Sequence, residues 1–168
     1  MLYLEKLKGQ SKPLPVRPPL KQIAFAWLGG LVAIGLVAFL AIYSNQPFVM
    51  GSLGASCVLV FGYPDSPFSQ PRNVMCGHFL STLIGLFFLH FVGPQWWSMA
   101  LALATALAVM QLTRTVHPPA GSNPLIVFLA AANWSFLITP STAGSAILVI
   151  WALLYNNISK DRHYPTYW

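Results

Sequence analysis

Charge is the scarcest commodity in this sequence. Only 7% of its 168 residues are Asp, Glu, Lys or Arg, against 56% hydrophobic residues, a balance that excludes an ordinary soluble domain and marks an integral membrane protein. Acidic residues are rarer still: Glu5, Asp65 and Asp161 all fall in stretches expected to be aqueous. With no core carboxylate, no Ser/His/Asp-like set and no metal cluster, an intramembrane enzyme has no support, and no cofactor is expected. Cysteine is nearly absent too. Cys57 and Cys76 lie in apolar segments without CxxC spacing, which excludes a disulfide framework or metal knuckle and leaves them as packing residues. His78 and His90 are twelve positions apart with no acidic or cysteine companion, so no metal site is expected. The net charge of +6 does not point to nucleic acid, because five of the nine Lys/Arg precede residue 22, next to a long apolar run. A short leader with a cleavage site is also missing, and the first apolar run is expected to stay in the membrane.

What is present are apolar segments separated by proline-rich breaks. Residues 1–22 read as a basic, Pro-rich arm held near lipid headgroups, and Ile23 to Tyr43 is a charge-free run long enough to cross a hydrocarbon core of roughly 30 Å. The second segment, from Gly51 to Tyr63, is too short for a helical span and carries Gly51, Gly54 and Gly62, the pattern of a discontinuous helix lining a site. A polar turn, 64–73, leads to a third segment, Val74 to Val92, that contains Gly77, His78 and His90. Trp96 to Leu112 is the fourth, opening on a Trp pair suited to the interface. After Arg114 and His117-Pro118-Pro119 comes a second short segment, Gly121 to Ala131; Ser141 to Tyr155 is the last, before a tail from 156 to 168. The double proline is expected to stop the fourth helix, and Ser122 and Asn123 to cap a new one whose free N–H groups face inward.

A shift of 67 residues places Gly54 on Gly121, Phe61 on Phe128, Gly77 on Gly144 and the first span on the fourth. The predicted fold is therefore an all-α membrane protein of six segments, arranged as two inverted three-segment repeats, about 23–92 and 93–155, with the middle segment of each short and broken. Four full spans is the alternative. Six crossings put all nine Lys/Arg on one side, satisfying the positive-inside rule with both termini cytoplasmic in a plasma (inner) membrane; four would strand Arg72 and Arg114 outside.

The two broken segments then bring helix N-termini towards the midplane, an arrangement that favours a small anion. Candidate substrate-binding residues are Ser52, Gly54, Ser56, Arg72, His78, Arg114, His117, Gly121, Ser122 and Asn123. Arg72 and Arg114 offer a permanent charge, or only snorkel at helix ends. His117 donates to an anion, shuttles a proton, or caps the break; His78 is an intramembrane ionisable group or a satisfied interhelical histidine. The serines and Asn123 replace lost hydration or cap helices, while the glycines allow close helix approach. Two broken helices in a small bundle need shielding from lipid, so a homo-oligomer, most simply a dimer, is expected.

The motifs Gly51-Ser-Leu-Gly54-Ala-Ser56, Ser66-Pro-Phe-Ser-Gln70-Pro71-Arg72-Asn73-Val-Met-Cys-Gly77-His78 and Thr115-Val-His117-Pro118-Pro119-Ala-Gly121-Ser-Asn123-Pro124 resemble the HPP family of integral membrane proteins, named for the His-Pro-Pro triplet. The likeness runs from about residue 23 to 155. That family is usually described with four spans, and some members append a soluble regulatory domain, which is not expected within this chain. Plastid and cyanobacterial members are linked to nitrite transport, so the resemblance implies a small-anion transporter with nitrite as the favoured substrate. A non-transporting membrane scaffold or accessory subunit is the alternative.

Overall fold

A computed structural model describes Leu7 and residues 12–45, 48–160 and 162–168 of the chain. Gln46-Pro47, expected to lead into the second segment, lies outside the described residues, as do Glu5, Lys6, Lys8 and Asp161. All regular structure among the described residues is helical.

Helix α1 spans Leu20–Ser44 and starts three residues before the apolar run. Pro18 and Pro19 explain the early start: Pro19 is extended (φ −57°, ψ 147°), and its carbonyl accepts from Gln22 N and Ile23 N at 2.9 and 3.1 Å. Asn45 ends it in the left-handed region, which Asn tolerates. Helix α2, Gly51–Gly62, follows an extended Met50 and is about 18 Å long by its rise per residue. Helix α3, Pro71–Phe87, opens on a proline that needs no hydrogen-bond partner there, then widens through Phe88–Val92 to Gly93. Gly93 has φ 112°, which an L side chain rarely adopts. Helix α4 is Trp96–Leu112, α5 is Asn123–Leu129 and α6 is Ala143–Asn156.

The break between α4 and α5 differs from its expected form. The helix ends five residues ahead of the double proline, because Arg114 turns left-handed (φ 57°) while Arg114 N donates to Gln111 O and Thr115 N to Met110 O, at 3.1 and 2.8 Å. That pair of bonds is a Schellman cap. Pro118–Ser122 then forms a 3₁₀ turn, with Ala120 N bonded to His117 O at 3.0 Å. Ser122 does not cap α5; its hydroxyl donates back to Pro119 O at 2.8 Å, and Asn123 is already helical with its side chain turned into the core. Polar groups at this break are thus mainly side chains rather than a row of open N–H groups.

Three helical stretches are long and apolar enough to cross a membrane: Leu20–Ser44, Pro71–Val92 and Trp134–Asn156. Gly51–Gly62 and Trp96–Leu112 are shorter apolar helices. Helix α1 packs on α2 and α6; α4 packs on α5 and α3; α2 also meets α6, α5 meets α3, and α3 meets α6. Close approach between helices depends on glycine at Gly29, Gly77, Gly85 and Gly144. A Cβ on Gly77 would stand 2.8 Å from His117 Cβ and 3.2 Å from Thr115 O, and one on Gly144 would stand 2.5 Å from Leu53 Cδ1 and 3.2 Å from Phe48 O.

Hydrogen bonds gather four parts of the chain at one end of the bundle. Tyr155 OH and Trp151 Nε1 on α6 donate to Phe25 O and Gly29 O on α1, at 2.8 and 3.1 Å. Tyr164 OH in the tail donates to Ser69 O at 2.7 Å, and its buried phenol is pushed above the usual pKa by desolvation. Arg72 Nη2 and Asn73 Nδ2 at the head of α3 donate to Thr113 O and Val116 O, at 3.1 and 2.9 Å. The start of α1, the 64–73 turn, the 113–117 turn and the C-terminal tail therefore share this end.

Candidate functional site

Where α2, α3 and the 113–123 break meet, four polar side chains are shut away from solvent. Ser56, His78, His117 and Asn123 each have no exposed surface, so every donor and acceptor among them must find a partner inside the protein. His78 lies in the second turn of α3, next to Gly77, whose missing side chain lets His117 Cβ and the Thr115 carbonyl approach. His117 sits in extended backbone (φ −133°, ψ 100°), a conformation favoured for a residue that precedes proline. Ser56 Oγ lies between the two imidazoles, 2.9 Å from His78 Nε2 and 2.7 Å from His117 Nε2, and the ring centroids are 5.1 Å apart.

The outer partners of the rings fix where their hydrogens sit. His117 Nδ1 is 2.6 Å from Phe68 O, which only accepts, so Nδ1 carries a hydrogen. Asn123 Nδ2 lies 3.3 Å from the carbonyl of His78 and 2.9 Å from Thr82 Oγ1, which assigns that atom as the amide NH₂. It is also 3.0 Å from His78 Nδ1, which must then accept, placing the hydrogen of neutral His78 on Nε2 and pointing it at Ser56. Around this centre, Ser141 Oγ donates to His78 O at 3.1 Å and pairs with Thr82 Oγ1 at 2.7 Å.

Four buried polar side-chain atoms among the described residues have no partner: Ser52 Oγ, one turn before Ser56, and Asn123 Oδ1 here, and Asn156 Oδ1 and Arg162 Nη1 towards the tail. No Lys, Arg, Asp or Glu is buried among the described residues, so the centre is polar without a fixed charge. No three His, Cys, Asp or Glu side chains converge among them to hold a metal.

The other residues singled out from sequence lie elsewhere. Arg72 and Arg114 are both exposed at the end that carries the tail; Arg72 borders an apolar cleft of about 410 Å³ with Cys76, Phe79 and Leu80. Gly54 and Gly121 face open space, where a Cβ would meet nothing within 4 Å. Ser122 is half-buried and occupied with its own turn. His90, in the wider stretch Phe88–Val92 after α3, bonds Ala132 O at 3.0 Å and stacks on Trp134. Sequence reasoning missed Thr82, Ser141 and the Phe68 carbonyl. Thr82 carried a signal, since it follows His78 by four positions on one helix face; the other two are brought in only by tertiary packing.

The model of the HPP transmembrane region matches residues 15–165 of this sequence. The chain belongs to the HPP transmembrane family. Two transmembrane proteins of Dictyostelium discoideum are similar to it along nearly its whole length: one is 36% identical over 99% of this chain and 57% of its own, the other 34% identical over 99% and 63%. The HPP chain thus spans about three fifths of the curated relatives it matches. No solved structure matches it.

Proposed function

We propose that this HPP protein carries small inorganic anions across the membrane, with nitrite the favoured substrate, and that the anion sits at the buried His78–Ser56–His117–Asn123 centre. The observation that carries this reading is the fully buried cluster of two histidines, a serine and an asparagine, with the unpartnered Ser52 hydroxyl one turn before Ser56, in a region without a buried Lys, Arg, Asp or Glu residue among those described. An apolar packing core needs no such cluster, whereas a transport site must exchange its own hydrogen bonds for those of a dehydrated ion.

The site lies between two halves that we read as inverted repeats with six crossings. Exchanging α1 with α4, α2 with α5 and α3 with α6 leaves the packing pattern unchanged. Under the 67-residue shift Gly77 becomes Gly144, Thr115 is matched by Phe48 and Ala120 by Leu53. Gly77 approaches Thr115 O and Ala120 as Gly144 approaches Phe48 O and Leu53. Rocking of one half against the other would then expose the site alternately. Lys21, Arg72, Arg114, Lys160 and Arg162 belong to segments at the tail end, which supports a cytoplasmic assignment for it in the plasma (inner) membrane. Arg72 and Arg114 act there as an electrostatic funnel rather than as ligands. The short α2 exposes Gly51, Ala55 and Val58, a surface suited to a second copy of the chain, so the working unit is a homodimer.

The competing reading, a scaffold without transport, draws on the fact that most polar groups of the centre already satisfy one another. Flux of nitrite, nitrate and chloride into liposomes holding purified protein separates the two. Anion flux abolished by Asn123→Ala supports transport; a well-folded protein that moves none of the three is a scaffold. Arg114→Ala is expected to raise the half-saturating anion concentration a few-fold at low salt and to leave the maximal rate unchanged, because a surface charge is screened within about 10 Å at 0.1 M salt.

A further inference from the structure

One face of α3 is left uncovered along most of the helix. Arg72, Met75, Cys76, Phe79 and Leu80 line a cleft of about 410 Å³ in its first half, and Leu83, Ile84 and Phe87 line another of about 370 Å³ further on. Spacings of four and seven residues put both sets on one stripe, and none of these side chains is buried. The walls of the two clefts come from the same parts of the chain. Thr113 and Thr115 after α4 face Thr142 ahead of α6 across the first, and Thr105 within α4 faces Trp134 across the second.

The first cleft has the dimensions of a lipid chain. Pro71–Val92 is long enough to cross a membrane, so Arg72 at its head stands at headgroup level. From Arg72 to Leu80 the helix rises about 12 Å, close to the roughly 15 Å that one leaflet contributes to the hydrocarbon core. Spread over that length, 410 Å³ gives a mean cross-section of about 35 Å². A helix 10 Å across needs about 80 Å². The cleft therefore suits a single extended hydrocarbon chain better than a helix of another protein.

The two clefts differ in charge, and that difference selects the occupant. Arg72 lines the first; no charged residue lines the second. Arg72 Nη2 donates to Thr113 O at 3.1 Å, which sets its guanidinium beside the Thr113–Arg114 peptide and places a second exposed arginine at the same corner. That bond uses one of five guanidinium N–H groups. No carboxylate lines the cleft among the described residues, and Asp65 lies on a different one, with Lys21 and Arg162. A guanidinium with spare donors above an apolar slot is complementary to a phosphodiester above an acyl chain.

We propose that the first cleft is a binding site for an anionic phospholipid of the leaflet at the tail end, its phosphate on Arg72 and one acyl chain along Cys76, Phe79 and Leu80. The second cleft takes a chain from the other leaflet without regard to headgroup. The inner end of the bound chain reaches Thr142, which follows Ser141, the residue whose hydroxyl donates to His78 O at 3.1 Å. A phosphate on Arg72 leaves Arg114 as the exposed cation of the funnel.

The experiment titrates the full chain, purified in mild detergent, with phosphatidylglycerol or with phosphatidylcholine of the same acyl chains, and counts the lipids retained per chain by native mass spectrometry. One phosphatidylglycerol is expected at a midpoint at least about fivefold below that of phosphatidylcholine, the effect of roughly one basic residue near a membrane surface. Arg72→Gln, whose amide can still donate to Thr113 O, is expected to bring the two midpoints together. Cys76→Phe fills the cleft, keeps the charge and should lose the retained lipid, whereas Thr105→Phe fills the second cleft and should leave the preference intact. Equal midpoints in the parent overturn the site. So does a preference that survives Arg72→Gln and Cys76→Phe, which belongs to the basic arm. Loss with Arg72→Gln but not with Cys76→Phe leaves a surface charge with no seat for the chain and overturns it as well. A smaller assembly in Cys76→Phe with lipid retention unchanged gives the cleft to a second copy. The readout involves no transport, so failure here leaves the anion reading standing.

Discussion

The two short middle segments, Gly51–Gly62 and Pro118–Leu129, are offset by 67 residues yet built differently. The first is a continuous α-helix whose turn before Ser56 is ordinary; the second spends five residues in a 3₁₀ turn and only seven in α-helix. Met50 in the first corresponds to His117 in the second, Ser52 to Pro119 and Ser56 to Asn123. Ser56 and Asn123 therefore flank one ring, that of His78, from opposite sides, the hydroxyl at Nε2 and the amide at Nδ1. The two segments thus meet one ring with different chemistry. The first segment contributes two hydroxyls, Ser56 bridging and Ser52 unpartnered, the second contributes the Asn123 amide, and the two imidazoles come from outside both, His78 from α3 and His117 from the turn ahead of the second segment.

The largest expected effect comes from the equivalent pair at the centre. Ser56→Ala leaves His117 Nε2 and His78 Nε2–H facing each other without the bridge, and Asn123→Ala removes the donor that holds the His78 tautomer. Leaving buried polar groups unsatisfied costs about 1–3 kcal/mol each. Both variants should unfold at lower temperature in detergent and lose anion flux by at least an order of magnitude. If one loses flux and the other is silent, the two halves do not share a single site.

Gly77→Ala and Gly144→Ala probe the frame rather than the site. At Gly77 the new methyl meets His117 Cβ and the Thr115 carbonyl, both close to main chain, and at Gly144 it meets the tip of Leu53 as well as the Phe48 carbonyl. Leucine can change rotamer where a Cβ cannot move without its backbone. Overpacking of a tight core costs about 1–3 kcal/mol, and Gly77→Ala should lie at the upper end and Gly144→Ala at the lower. Thermal unfolding measures both. Only Gly77→Ala should also reduce flux, since it displaces His117.

Much of this was open to sequence reading because membrane chains advertise their spans. The apolar run Trp96–Leu112 coincides with α4, and proline stands in the connections after α2, α3 and α4. The termination of α4 was hidden, because its cap uses Arg114 in a left-handed turn where sequence rules look for glycine or asparagine. His78, His117, Ser56 and Asn123 were selected one by one from polarity in apolar surroundings, and the structure brings those four into one cluster. Charge makes Arg72 and Arg114 candidates in the sequence, yet both lie on the surface, since guanidinium is better solvated there than in a core without a carboxylate partner. The Phe68 carbonyl could not have been found, because a backbone acceptor leaves no mark on the sequence.

The smallest effect tests the surfaces of the two segments. A Cβ at Gly54 or Gly121 meets nothing within 4 Å in a single chain. Gly54 lies inside α2, where replacing glycine with alanine favours the helix by about 0.8–1.0 kcal/mol. Gly121 lies in the 3₁₀ turn, where the gain should be a few tenths of a kcal/mol, chiefly through the unfolded chain. In a monomer, then, Gly54→Ala raises the unfolding temperature slightly and Gly121→Ala barely changes it. A dimer built on the Gly51–Ala55–Val58 face reverses the first sign, because the added methyl separates two helices that meet through glycine. Molecular mass in mild detergent, measured for both variants beside the parent, reads this directly: a smaller assembly for Gly54→Ala alone places the partner on α2, and no change in either removes that face from the interface.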